Sequence, residues 1–177
     1  MSSSGDLPDD AVADIAWHSR TRDADAALTE HVAGLLAVEA GGIRVGRLCP
    51  RCGSDAHGRP WASGARVSLS RAGDHLVTAV ATGPVGVDVE VVADVESRWE
   101  PALVLHPDDP VDVEPAWAWT AKEAVLKARG TGLAVPMTSV RLADHDVREI
   151  PAPIGLAAAV VVLVPGLRAG AGPAARR

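Results

Sequence analysis

Two short segments hold residues whose types and spacing suit chemistry on a phosphate group. The first is Gly86-Val87-Asp88-Val89-Glu90. In a strand, successive side chains point to opposite faces. Val85, Val87, Val89 and Val91 then face a core, and Gly86, Asp88, Glu90 and Val92 share the other face. The two carboxylates lie about 7 Å apart along the strand. They can converge on one hard cation such as Mg²⁺, which takes few carboxylates and keeps positions for phosphate oxygens. Gly86 would leave room beside them for a ligand. The same pattern also suits an ordinary half-exposed strand.

The second segment is Trp119-Thr120-Ala121-Lys122-Glu123-Ala124-Val125-Leu126-Lys127. Glu123 and Lys127 are four residues apart, so on a helix they share a face. The carboxylate can ligate a metal or take a proton from a hydroxyl. The ammonium can hold phosphate charge. A Glu–Lys pair at this spacing is equally at home on any solvated helix. Lys122 and Lys127 are the only lysines in the chain, although Lys and Arg together number 17. Using ammonium twice within six positions, and guanidinium elsewhere, suggests that this helix needs the compact cation.

Two further stretches offer phosphate contacts. His57-Gly58-Arg59-Pro60 lies in a Gly/Pro-rich loop running from Cys49 to Gly64, and Arg59 can clamp a phosphate. Val67-Ser68-Leu69-Ser70-Arg71 places Ser70 and Arg71 at a strand end before a Gly turn. Both also read as polar turns. Cys49-Pro50-Arg51-Cys52, with His57 five residues on, has the look of half a zinc site. His75 is a conceivable fourth ligand, and a plain reduced loop is the simpler reading.

The elements that must position these groups follow from periodicity and punctuation. A helix is expected from Ala24 to Ala40, stopped by Gly41-Gly42. Strands are expected over Arg66–Ser70, His75–Ala81 and Val85–Val92, with Gly83-Pro84 as a turn. Residues 97–115 read as irregular. A helix from Ala116 to Arg129 follows Pro115 and closes at Gly130. Short strands are expected over Val140–Leu142, Val147–Ile150 and Leu156–Val164. Helix then strands, twice over, implies an α+β fold. The expected organisation is a disordered 1–13, a domain over 14–168 with lobes of about 14–92 and 93–168, and a disordered tail over 169–177. Each lobe would be a helix on a small antiparallel sheet, with the site between them.

The formal net charge of −6 argues against broad nucleic-acid binding. No apolar run approaches the roughly 18 residues of a membrane span. The Ser- and Asp-rich start lacks signal-peptide features. A cytoplasmic protein is expected.

The order HGRP, VSLSRAG, GVDVE and WTAKEAVLKARGTGL resembles the phosphopantetheinyl transferases of the surfactin-synthetase type, within the holo-acyl-carrier-protein synthase superfamily. The likeness runs from Cys49 to Leu133, and more loosely to Val164. It implies a pseudo-twofold monomer that moves 4′-phosphopantetheine from coenzyme A to a serine of an acyl or peptidyl carrier protein, with Mg²⁺ as cofactor. On that resemblance, Asp88, Glu90 and Glu123 hold the metal, and Glu123 also serves as base. Lys127 contacts the phosphates and assists the leaving group. Arg59, Pro60, Ser70 and Arg71 contact coenzyme A, and Lys122 is the lysine preceding the motif Glu. Arg71 stands where the family often has His. The region from Asp94 to Pro115, which in the family helps seat the carrier, is short. The nearest N-terminal cations are Arg20, Arg22, Arg44 and Arg47. The alternative is a relative that binds coenzyme A or a carrier protein without transfer.

Overall fold

The computed structural model describes residues 12–49 and 51–163. The expectations for residues 1–11 and for the tail over 169–177 lie outside them. Strand β1 (Asp14–Ser19) leads to helix α1 (Ala24–Leu36), then to the ribbon β2 (Val45–Leu48) and β3 (Arg59–Ala62). A meander of β4 (Arg66–Ala72), β5 (His75–Ala81) and β6 (Val85–Val91) comes next. Three helices follow: α2 (Val92–Ser97), α3 (Pro101–Val104) and α4 (Pro115–Arg129). Strands β7 (Arg148–Glu149) and β8 (Leu156–Val162) end the described chain. The fold is α+β, with antiparallel sheets in the orders β1-β5-β4, β2-β3 and β6-β8-β7.

Apolar alternation explains how the layers stack. Ala72, Val77 and Ala79 of one sheet pack against Val85, Val87, Val89 and Val160 of the other. The outer face of the first sheet, through Val67 and Val80, is covered by Leu28 and Val32 of α1. The outer face of the second, through Ala159 and Val161, is covered by α4. Each fully buried valine contributes roughly 1.5–3 kcal/mol. Strand β6 is thus covered on both sides.

Helix α4 is set by strong end signals. Glu114 accepts the N–H groups of Ala116 and Trp117, Pro115 occupies the first turn, and Gly130 closes the helix in the left-handed region at φ 77°. Its approach to β6 depends on Gly86. A Cβ there would lie 1.9 Å from the carbonyl oxygen of Ala124 and 2.6 Å from the nitrogen of Ala128. The space beside the carboxylates is therefore filled by helix backbone, not left for a ligand as the sequence suggested.

Four other expectations change. Helix α1 stops at Leu36, where Ala37 turns left-handed at φ 53°. The Cys49–Gly64 loop contains β3, whose Pro60 is tolerated because a two-stranded ribbon leaves one side unpaired. Val140–Leu142 is not a strand but the link between two single-turn helices. The carbonyls of Met137 and Val140 accept from the Lys122 ammonium instead of a ladder. The segment read as irregular contains the short helix α3, and Ser97 ends α2.

Candidate functional site

Strand β6 and helix α4 bring four of the predicted groups together. Asp88 is buried, with 1 % of its surface exposed. Its Oδ1 accepts from the Lys127 ammonium at 2.5 Å and from the Ser70 hydroxyl at 2.7 Å. Ser70 in turn accepts from Lys127 at 2.9 Å. Glu123, one turn before Lys127, has its Oε2 4.0 Å from the same ammonium. Neighbouring Ser68 fixes the strand by accepting the N–H of Val87 at 3.1 Å.

The charge here does not balance. Three carboxylates share a single ammonium. Burial, then the Asp88 charge, push the Glu123 carboxyl up to about 7, with Lys127 opposing and Glu90 adding to the rise. Burial and Asp88 also raise Glu90, partly offset by Lys127, Trp119 and Arg98. The Asp88 Oδ2 and the Trp119 Nε1 are buried and close no hydrogen bond. Trp119 lies near enough to favour the Glu90 charge. A buried carboxylate oxygen without a donor is costly. These observations fit a hard divalent cation: oxygen donors, excess negative charge and an orphaned oxygen. The donor atoms of Asp88, Glu90 and Glu123 do not all lie within 4.8 Å of one another. Among the described residues, one trio of metal-ligating side chains has donor atoms all within 4.8 Å of one another, and it is Cys49, Cys52 and His57.

Lys127 also reaches a second feature, a cleft of about 630 Å³. Arg47, Arg51, Arg59 and Pro60 from the β2–β3 ribbon line it, with Ser68, Lys127 and Thr131 opposite. Among the described residues, four cations and no carboxylate line this cleft, in a chain of net charge −6. It suits an anionic ligand with apolar parts. Arg47 is anchored by Asp25 at 2.7 Å. Arg59 donates to the Ala128 carbonyl at 3.2 Å and lies against Gly130, at the electronegative end of α4. Burial and the nearby Arg66 lower the Arg59 pKa from its usual value.

The other predicted residues separate. Ser70 faces Asp88 rather than the cleft lining. Arg71 is exposed and, by strand alternation, on the face opposite Ser70, so it joins neither feature. His75 stacks edge-on against Trp17 at 6.0 Å and is not part of the cysteine cluster. Lys122 is fully buried, pairs with Asp109 at 2.5 Å and faces away from the carboxylates into the 137–140 turns. Of the four N-terminal arginines, the structure selects Arg47, and it adds Arg51 and Ser68, which sequence reasoning had not assigned. The signal available for both arginines was their position two residues either side of Cys49, in the Gly/Pro-rich segment that also carries Arg59.

Residues 84–155 match the family model of the 4′-phosphopantetheinyl transferase superfamily (ACPS). That span contains Asp88, Glu90, Glu123 and Lys127. The arginines of the β2–β3 ribbon and Ser70 lie before it. The match implies phosphopantetheine transfer in general. A search of curated proteins finds no match to the chain.

Proposed function

We propose that this protein transfers 4′-phosphopantetheine from coenzyme A to a serine of an acyl or peptidyl carrier protein, in the cytoplasm and with Mg²⁺, in the manner of the surfactin-synthetase-type enzymes. The observation that carries the reading is Lys127. Its ammonium belongs both to the carboxylate cluster and to the cationic cleft, so it stands where a bound anion would meet the acidic groups. The two helix-and-sheet units are read as related lobes.

In this reading the cleft takes coenzyme A. Arg47, Arg51 and Arg59 hold its phosphates, and Pro60 with the apolar lining takes the less polar parts. Asp88, Glu90 and Glu123 would hold Mg²⁺, which when bound supplies charge neutralisation at the pyrophosphate. Glu123 takes the proton of the carrier serine, its carboxylate lying one helical turn from Lys127. The serine oxygen forms a bond to the β-phosphorus. The bond from that phosphorus to the bridging oxygen breaks, and 3′,5′-ADP leaves with the electron pair. Lys127 steadies the charge on the departing phosphate. Ser70 orients Asp88.

Intact-mass spectrometry tests this directly. An apo carrier protein incubated with the protein, coenzyme A and Mg²⁺ should gain the mass of phosphopantetheine, and EDTA should prevent it. Absence of any gain across fatty-acid, polyketide and peptide carriers would overturn the proposal. Retained coenzyme A binding in that case would identify a relative that binds without transfer.

A further inference from the structure

The cysteine loop is not used by the proposed reaction, yet it is the tightest cluster of metal-ligating side chains among the described residues. The donor atoms of Cys49, Cys52 and His57 all lie within 4.8 Å of one another. Cys52 Sγ and His57 Nε2 are 3.5 Å apart. Both cysteines are free thiols.

The backbone is shaped to hold this cluster. Gly53 donates to the Cys49 carbonyl at 2.9 Å and takes φ 72°, which turns the chain sharply after Cys52. The Cys49 N–H donates to the Ser54 carbonyl at 2.9 Å. At the far end, Gly58 has φ 107°. A Cβ there would come within 2.5 Å of the Leu48 carbonyl and 2.6 Å of Cys49 Cα. Only glycine lets the chain pass this close, and the passage is what sets His57 beside the cysteines.

Two thiolates and an imidazole at this spacing select zinc over harder cations. We propose that Cys49, Cys52 and His57 bind one Zn²⁺, with the fourth tetrahedral position taken by water or a solute. Two thiolates balance the metal charge, so the site adds no net charge beside the arginines. The ion staples the two ends of the β2–β3 connection. That connection and its flanking strands carry Arg47, Arg51 and Arg59 into the cleft. Zinc thereby acts as a positioning device for the cationic wall, separate from the carboxylates on β6 and α4.

The test uses the full chain without a histidine tag, purified under reduction and loaded with Zn²⁺. After dialysis, elemental analysis should find about one zinc per chain. Cys49→Ser and Cys52→Ser should fall to background, and Asp88→Ala should keep its zinc. Cobalt(II) in place of zinc should give an intense thiolate charge-transfer band in the wild type that Cys52→Ser lacks. This spectrum on the wild type also serves if a variant does not fold. Zinc should further slow tryptic cleavage after Arg51. No retained zinc and no charge-transfer band in the wild type would overturn the proposal. So would zinc that survives Cys52→Ser but is lost in Asp88→Ala. None of these readouts depends on phosphopantetheine transfer, so failure here and failure of the proposed activity remain distinct.

Discussion

Helix α4 carries two Asp–Lys pairs of identical length and opposite character. Lys122 meets Asp109 at 2.5 Å, and Lys127 meets Asp88 at 2.5 Å. At the first pair every oxygen is accounted for. Asp109 Oδ2 also accepts the His106 N–H and its Oδ1 the Leu142 N–H, while Lys122 spends its remaining donors on the carbonyls of Val140 and Met137. At the second, one Asp88 oxygen is orphaned and two further carboxylates crowd the same ammonium. A saturated buried pair fastens structure, whereas an unsaturated one with surplus charge waits for a ligand. The comparison assigns Lys122 to the fold and Lys127 to the site, although both lie in one motif.

Substitutions at the two pairs should separate them most widely. Removing the unsaturated pair's base, Glu123→Gln, should slow carrier modification by about 10²–10⁴-fold, followed by intact mass. Because it also removes one of three crowded carboxylates, the Mg²⁺-free variant should melt higher than the wild type. A lower melting temperature would mean that Glu123 stabilises the fold and that the surplus-charge argument is wrong. The saturated pair should behave in reverse. Lys122→Met leaves Asp109 buried without its cation and should cost about 3–5 kcal/mol, read from urea denaturation midpoints. A loss below about 1 kcal/mol would contradict a saturated structural pair.

The sequence made one half of this contrast readable. Period-two alternation put Asp88 and Glu90 on one face of β6, and the four-residue spacing put Glu123 and Lys127 on one face of α4. Both are local rules. What depended on contacts between distant segments was not readable. Lys122 needed Asp109 and the 137–140 turns to acquire its role. Gly86 looked like ligand space because nothing local says that a helix backbone will press on it. Ser70 looked like a phosphate contact because its partner is 18 residues away on another strand. Arg47 and Arg51 sit on and beside a four-residue ribbon strand, too short for periodicity to reveal. Fold class survived these errors because it rests on the order of elements, whereas the cleft rests on which elements meet.

The two pairs should also respond to pH with opposite sign. Burial alone would raise Asp109, but the Lys122 ammonium and the N–H groups of Leu142 and His106 more than offset it and hold it below the usual aspartate value of 3.8. Its stabilisation is present above that value and lost as pH falls through the folded pKa. Glu123 is raised from 4.5 to about 7. Its contribution is complete below 4.5 and lost as pH rises through about 7. Without Mg²⁺, stability should therefore decline between pH 4.5 and 7 by on the order of 1–3 kcal/mol, read from melting curves. Glu90, also raised, adds in the same direction. Mg²⁺ should remove most of that decline, because the cation takes over the neutralising role of the proton. A decline unchanged by Mg²⁺ would mean that the cation binds elsewhere. In Glu123→Gln the decline should shrink, and in Lys122→Met it should persist.

The smallest effect expected is also the one that decides how the unsaturated pair is held. Ser70 donates to Asp88 and accepts from Lys127, so Ser70→Ala removes two bonds from a buried network. The cost in stability should be about 1 kcal/mol. If Ser70 works by orienting Asp88, kcat should fall, by about tenfold or less, while the KM for coenzyme A stays unchanged. If the hydroxyl instead contacts coenzyme A, as the family resemblance implied, KM should rise with kcat preserved. The geometry favours the first outcome. Among the described residues Asp88 has two donors, and without the hydroxyl its Oδ1 would depend on Lys127. Lys127 would then be drawn more tightly to Asp88 and away from the cleft, which lowers turnover without altering the arginine wall that binds the co-substrate.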